Sequence, residues 1–436
     1  MTDRHPCTPG RRPDLPRPAR RPLVAAVMAG ILLAACSGGD DGDDPLREDA
    51  LLTAGVGAVR AGLEQQIGHE VPSLSVLIET PGGAYFTSAA APGAVVVTPD
   101  TRLRFASNTK TFAAASIMKM HQDGWLRYTD LVTAHMPGST APYLPDTPDW
   151  NLPYKSAITI RQLLQHSAGV FDVGNDAVPG SDCADTYEDC VLAREPDHQF
   201  TVEEQVAQAV RFGVSYFPPG TDHHYSNTGY AMLTEIVARV YSQRSGQTRS
   251  WADYVHDHLT GPQTPVPLPV RFPDSGTDQA LPEPRVCGRV ILPDAPAPVI
   301  CDANVSAKVG EGNGIGSMRA LNRWVRTVQT GRNVLSAETV ATMRDDLSPG
   351  NPAYGLGTLR VENLGFGHNG ATLGNLSLML YDPAQNVSVV VYIPLWDLSD
   401  GRTSFLKVFN ALECAGWRAR EAFGYPGRPA SAVCPG

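Results

Sequence analysis

The sequence predicts an α+β fold: one antiparallel sheet assembled from both ends of the chain, flanked by helices, with a helix-rich domain inserted between. Three observations carry this. Residues 74–89 read as two strands around a Pro81-Gly82-Gly83 turn, with Gly where φ > 0 is needed. The stretch 354–393 turns β-like again, in segments 354–361, 366–368, 376–381 and 387–393. Between them lies a long segment with helical periodicity, so the two sheet portions must pair across it.

Element by element, 101–105 leads into a helix over about 107–122, stopped by Asp123-Gly124. Its middle, 112–118, carries no charge, and a helix apolar on every side is usually buried. A short amphipathic helix is expected at 159–164, two more at 202–212 and 229–241, then helices at 320–331, 337–344 and 403–423. The expected domains are 51–106 with 309–436 for the sheet and 107–308 for the helical part. Segments 171–200 and 262–308, rich in Pro, Asp and Gly, are loop insertions of the kind that often act as lids.

The N-terminus reads as an export segment. Six Arg precede an apolar run from Leu23 to Ala35, too short for a bilayer span, which needs ~20 residues, but suited to a signal-peptide core. Residues 1–35 are thus expected to be removed. Leu33-Ala34-Ala35-Cys36-Ser37 resembles the bacterial lipoprotein box, with Cys36 lipidated and holding the protein to a membrane on the extracytoplasmic side. Ordinary cleavage with Cys36 as a bystander is the alternative. Residues 36–50, Gly- and Asp-rich at their start, read as a flexible tether.

Loss of 1–35 takes six Arg and two Asp from a chain of formal charge −10, leaving −14. So acidic a chain, without a basic stripe, excludes nucleic acid as a partner. Beyond Cys7 and Cys36, six cysteines remain in three sequence-neighbour pairs: Cys183 with Cys190, Cys287 with Cys301, Cys414 with Cys434. Those are the expected bridges, although spacing alone leaves about 15 pairings open. No Cys-x-x-Cys spacing or neighbouring His supports a metal site, and no cofactor is expected.

Ser107-Asn108-Thr109-Lys110 is the most chemical feature. Residues i and i+3 share a helix face, so the amine can reach the hydroxyl. Lysine is scarce, five residues against 30 Arg, and a desolvated ammonium can release a proton that guanidinium keeps. A solvent-facing Lys is the competing reading. Tyr225-Ser226-Asn227 supplies a phenol for proton transfer and an amide that can hold Lys110, unless Asn227 only caps the next helix. In His368-Asn369-Gly370, on the strand expected over 365–372, His368 would face Ser107 and Gly370 would let a substrate lie close to the strand; a bulge glycine and a structural His are the plainer alternatives. His223 and His224 flank the second motif without a third metal ligand at useful spacing. No Gly-x-Ser-x-Gly elbow, His-Glu-x-x-His motif or Walker loop is present.

These three motifs, in this order, resemble those of the serine β-lactamase and D-alanyl-D-alanine carboxypeptidase superfamily, in its class C-like branch with a Tyr-x-Asn second motif. The flanking segments 103–110, 159–169, 219–230 and 367–370 are similar too, and the likeness runs from about 70 to 395. The resemblance implies a β-lactamase/transpeptidase-like fold and a serine acyl hydrolase. It implies Ser107 as the acylated nucleophile, Lys110 as its proton acceptor or electrostatic partner, and Tyr225 as general base and acid. Asn227, His368, Asn369 and Gly370 would bind substrate, and the N–H groups of Ser107 and Ala371 would form the oxyanion hole. His-Asn-Gly departs from the family's commoner Lys-Thr-Gly, which argues against efficient β-lactam turnover. The expected substrate is a small peptide, ester or β-lactam, with D-alanyl-D-alanine carboxypeptidase action favoured. Esterase, weak β-lactamase and non-catalytic penicillin-binding sensor are the alternatives.

Overall fold

The computed structural model describes residues 46–295 and 297–435. The export segment 1–35, Cys36 and most of the tether lie outside the described residues.

The central sheet has six strands: β1 (Ser73–Thr80), β2 (Gly83–Ala90), β3 (Leu359–Val361), β4 (Gly365–Thr372), β5 (Asn375–Asp382) and β6 (Val387–Ile393). They lie antiparallel in the order β2-β1-β6-β5-β4-β3, with Val76 opposite Val391, Val390 opposite Met379, and His368 opposite Met379. Both chain ends therefore build it, as the hydrophobic pattern predicted.

Alternation along these strands feeds two cores. Leu74, Val76, Ile78, Leu378, Val389 and Val391 face α1 (Ala50–Ile67) and α5 (Arg402–Ala422). Leu77, Met379, Val390 and Tyr392 face the opposite core, shared with α2 (Lys110–Gln122), α3 (Asn227–Ser245) and α4 (Met318–Gln329). That second core runs without a break from the sheet into the 107–308 segment. Because α2 lies inside it, every residue from Lys110 to Met118 is buried.

Four features differ from expectation. Residues 46–50 do not belong to a free tether: Arg47 bonds the β2 edge through its N–H to Ala84 (3.0 Å) and its carbonyl to Phe86 (3.1 Å), and Asp49 caps α1. Helix α1 itself escaped the sequence reading. The strand expected from Tyr354 begins only at Leu359, because Gly357 turns at φ +66° with its Cα against Ala114 of α2, where a Cβ would sit 2.2 Å from the Ala114 methyl. The 262–308 insertion also contributes strands at Gly288–Ile291 and Val299–Ile300, which continue into Leu395–Asp397. Disulfides join Cys183–Cys190, Cys287–Cys301 and Cys414–Cys434.

Candidate active site

Ser107 lies in a 3₁₀ turn, Ala106–Thr109, that runs directly into α2. Ala106 before it adopts φ +50°, a conformation rare for a residue with a Cβ. The turn is held from below: Asn108 donates to Ser377 Oγ (2.7 Å) and to the Phe105 carbonyl (3.1 Å). Strand β4 pairs with β3 only up to Gly367, so its edge from His368 onward is open to this turn. Gly370 makes the approach possible. A Cβ there would stand 2.4 Å from the Phe105 carbonyl oxygen, so its missing side chain makes room for the turn that carries Ser107 rather than for a ligand.

Lys110 Nζ is fully buried and sits 3.2 Å from Ser107 Oγ, 2.6 Å from Asn227 Oδ1 and 2.8 Å from the Glu311 carbonyl, with Glu311 Oε2 at 3.3 Å. It also lies 4.8 Å from the centre of the Tyr225 ring. Burial pushes its pKa down; the negative charges of Glu311 and Asp172 oppose that. The Tyr225 hydroxyl bonds Ser107, and burial holds its pKa well above the usual phenol value. An amine from the next turn of the same segment and a phenol from a distant one thus meet on the Ser107 hydroxyl.

Asn227 opens α3, but Ser226 is the cap, accepting from the Gly229 N–H. That leaves the Asn227 side chain free to hold Lys110. The Asn227 N–H donates to Asp172 Oδ2 (2.9 Å); Asp172 also accepts from the Gly174 N–H (3.1 Å) and Asn175 (2.8 Å). Its pKa is pushed up to about 6 by burial, against the pull of those donors.

His368 stands otherwise than expected. It is 1% exposed, and burial pushes its pKa down to about 3, so it presents no positive charge to a substrate. Its ring belongs to a buried chain of hydrogen bonds. The Ser226 N–H donates to His166 Nδ1 (3.0 Å), which leaves the proton on Nε2 to donate to the Tyr354 hydroxyl (3.2 Å). Tyr354 then donates to His368 Nε2 (3.0 Å), and His368 Nδ1 donates to the Asn369 carbonyl (2.6 Å). His166 also packs against Tyr225, the rings tilted by 32° with centres 4.2 Å apart. The chain therefore links the loop carrying Tyr225 to the strand facing Ser107. His223 bonds Gln165 and Ser348, and His224 stacks on Tyr216; their hydrogen bonds and ring contacts run to those neighbours rather than to Ser107.

Ser107, Tyr225, Asn227, Asn369, Ala371 and Glu311 line one cleft of about 710 Å³. Both disulfide-bearing insertions reach it, through Glu188 and Asp189 of the first and Ile300 and Asp302 of the second. Lys308 is there as well but is bound to Glu188 at 2.8 Å. Sequence reasoning missed Asp172, Glu311, His166 and Tyr354. Of these only His166 lay in a segment likened to the family's motifs; Glu311 is a lone acid in a glycine-rich stretch, with no spacing to mark it.

A family model named Beta-lactamase matches residues 58–404. Protein flp of Staphylococcus aureus (strain MW2) is 28% identical over 201 residues, 45% of this chain and 34% of that protein. Penicillin-binding protein 4* of Bacillus subtilis (strain 168) is 30% identical over 152 residues, 34% of this chain and 26% of its own. The chain thus spans about a third of the length of the curated relatives it matches. Among solved structures, a D-amino acid amidase from Ochrobactrum anthropi SV3, complexed with L-phenylalanine amide, superposes with TM-score 0.63 at 20% identity, over 85% of this chain and 98% of that one. A D-stereospecific amidohydrolase from Streptomyces sp. gives TM-score 0.61 at 21% identity, over 82% and 98%. At these identities the likeness is one of fold.

Proposed function

Since this chain belongs to the Beta-lactamase family, we propose that it is a serine hydrolase that forms an acyl-enzyme on Ser107 and cleaves amides or esters of D-amino acids or similar acyl groups whose leaving group is uncharged. The observation that carries the mechanism is the convergence of Lys110 Nζ, at 3.2 Å, and the Tyr225 hydroxyl on Ser107 Oγ, at the edge of an open cleft. Two Lys110 N–H groups satisfy Asn227 Oδ1 and the Glu311 carbonyl, and the remaining lone pair of the neutral amine takes the Ser107 proton. Oγ adds to the substrate carbonyl, whose oxygen is received by the Ser107 and Ala371 N–H groups. As the carbon–nitrogen or carbon–oxygen bond breaks, the protonated Tyr225 gives its proton to the leaving group. Water then attacks the ester, passing a proton to the Tyr225 phenolate, and Lys110 returns its proton to Oγ.

The sequence favoured D-alanyl-D-alanine carboxypeptidase action, which needs a cation for the terminal carboxylate. His368 is neutral, Lys308 is paired, and Glu188, Asp189, Asp302 and Glu311 all face the cleft. That charge balance supports an uncharged leaving group instead. D-Phenylalanine amide, a p-nitrophenyl ester and a D-alanyl-D-alanine peptide, each given to the purified protein, test this. Turnover of the first two with a mass adduct on Ser107 is expected. Faster release of D-alanine from the peptide would restore the carboxypeptidase reading, and absence of both adduct and turnover would leave a non-catalytic binder. An extracytoplasmic, lipid-anchored location is part of the proposal; the segment ending at Cys36 and the three disulfides support it.

Glu311 gives a test of which group is the base. Its carboxylate raises the Lys110 pKa against the effect of burial. Glu311→Gln removes that support, so the amine stays neutral to lower pH and the acidic limb of kcat/KM is expected to move downward. A limb that stays in place or moves up would remove Lys110 from the role of titrating base.

A further inference from the structure

The cleft extends past Ala371, along Thr372 and Leu373, to Trp396, Phe405 and Phe409. We infer that this end is an acyl-side subsite for an aromatic or bulky aliphatic group, so that the substrates are acyl compounds with a large apolar side chain.

The inference rests on the proposed reaction and on three further observations. First, direction: Tyr225 protonates the leaving group, which must therefore lie on its side of the scissile bond. The oxyanion is fixed between Ser107 and Ala371, so the retained acyl part extends away from Tyr225, along β4 towards Leu373. Second, composition: Trp396, Phe405 and Phe409 are each only partly buried, yet they form one apolar surface. Trp396 meets Phe405 edge-on with centres 5.5 Å apart, and Phe405 stacks on Phe409, one helical turn further along α5, at 5.9 Å. Aromatic area left open inside a cleft is what an apolar ligand group covers. Third, support: the shelf is rigid. Trp396 donates from Nε1 to the Asn375 carbonyl (3.4 Å), and its strand pairs with Gly288–Ile291. The Cys287–Cys301 bridge closes that insertion and sets Ile300 on the facing rim. Gly288 has no room for a Cβ, which would stand 2.2 Å from the Leu373 carbonyl oxygen, so the insertion is seated directly on the end of the sheet. None of these residues takes part in the proposed proton transfers.

The test uses p-nitrophenyl acetate and p-nitrophenyl 3-phenylpropionate, which share a leaving group, with wild type, Trp396→Ala and Phe409→Ala. Wild type is expected to prefer the phenylpropionyl ester in kcat/KM by about tenfold or more, and each variant to lose most of that preference while keeping its acetate rate. Equal loss on both esters, no preference in wild type, or a change of oligomeric state in place of a change of preference would overturn the subsite. Binding of 3-phenylpropionamide, measured by calorimetry, separates this from failure of the reaction. If no ester is turned over, weaker binding by both variants still upholds the subsite, and unchanged binding removes it.

Discussion

Ser107→Ala is expected to lower kcat by about 10⁶-fold, and adding Lys110→Ala to that variant to cost almost nothing more, because residues that act as a unit are lost together. The reason lies in the contacts. Ser107 Oγ accepts from or donates to both Lys110 and Tyr225, and Lys110 is held by Asn227 and Glu311 in a place solvent does not enter. In the proposed reaction, loss of the hydroxyl leaves the amine no proton to take and the phenol no acyl-enzyme to serve. Single-turnover kinetics of both variants on a p-nitrophenyl ester measure this, with circular dichroism confirming the fold. Residual activity within about a hundredfold of wild type in Ser107→Ala would mean that another nucleophile does the chemistry.

Trp324→Ala should destabilise the protein by about 3–5 kcal/mol, the range for deleting a buried indole. Trp324 of α4 is fully buried, stacks on Phe112 with centres 3.9 Å apart, and donates from Nε1 to Thr111 Oγ1 at 2.8 Å. Removing it opens a void against the first turns of α2 and leaves the Thr111 hydroxyl without its donor. Since Lys110 begins that helix, a looser seat also reaches the active site, and kcat should fall in parallel. The midpoint of urea unfolding reports the loss directly, the slope staying the same if the unfolded state is unchanged. A loss under 1 kcal/mol would show that the core collapses to fill the gap.

The sheet strands and long helices were legible because their signals are local. Val387–Ile393 and Asn375–Asp382 are near-continuous apolar runs, and α2 lacks charge through its middle. Helix α1 was missed although its buried positions, Leu52, Val56, Val59 and Leu63, follow helical spacing; small residues such as Gly55 and Gly57 dilute the pattern. The strand expected from Tyr354 failed because Gly357 is needed for a close approach to Ala114, which no local pattern announces.

The same division holds at the site. Ser107, Lys110, Tyr225 and Asn227, singled out because chemistry restricts their types and a helix fixes the first pair at three residues apart, are brought into contact by the fold. His368 was assigned a charge from its place in a motif. Folding instead buries it between Tyr354 and the Asn369 carbonyl, where water cannot stabilise the cation. Glu311 and Asp172 approach Lys110 from 201 and 62 positions away, close enough that their charges raise its pKa against the larger effect of burial. The sequence by itself determined which groups exist and which neighbours share a helix turn, since spacing and side-chain chemistry are local properties. Only the tertiary structure decided which of those groups carry charge and which way the cleft runs, because solvation and long-range contact are set by packing.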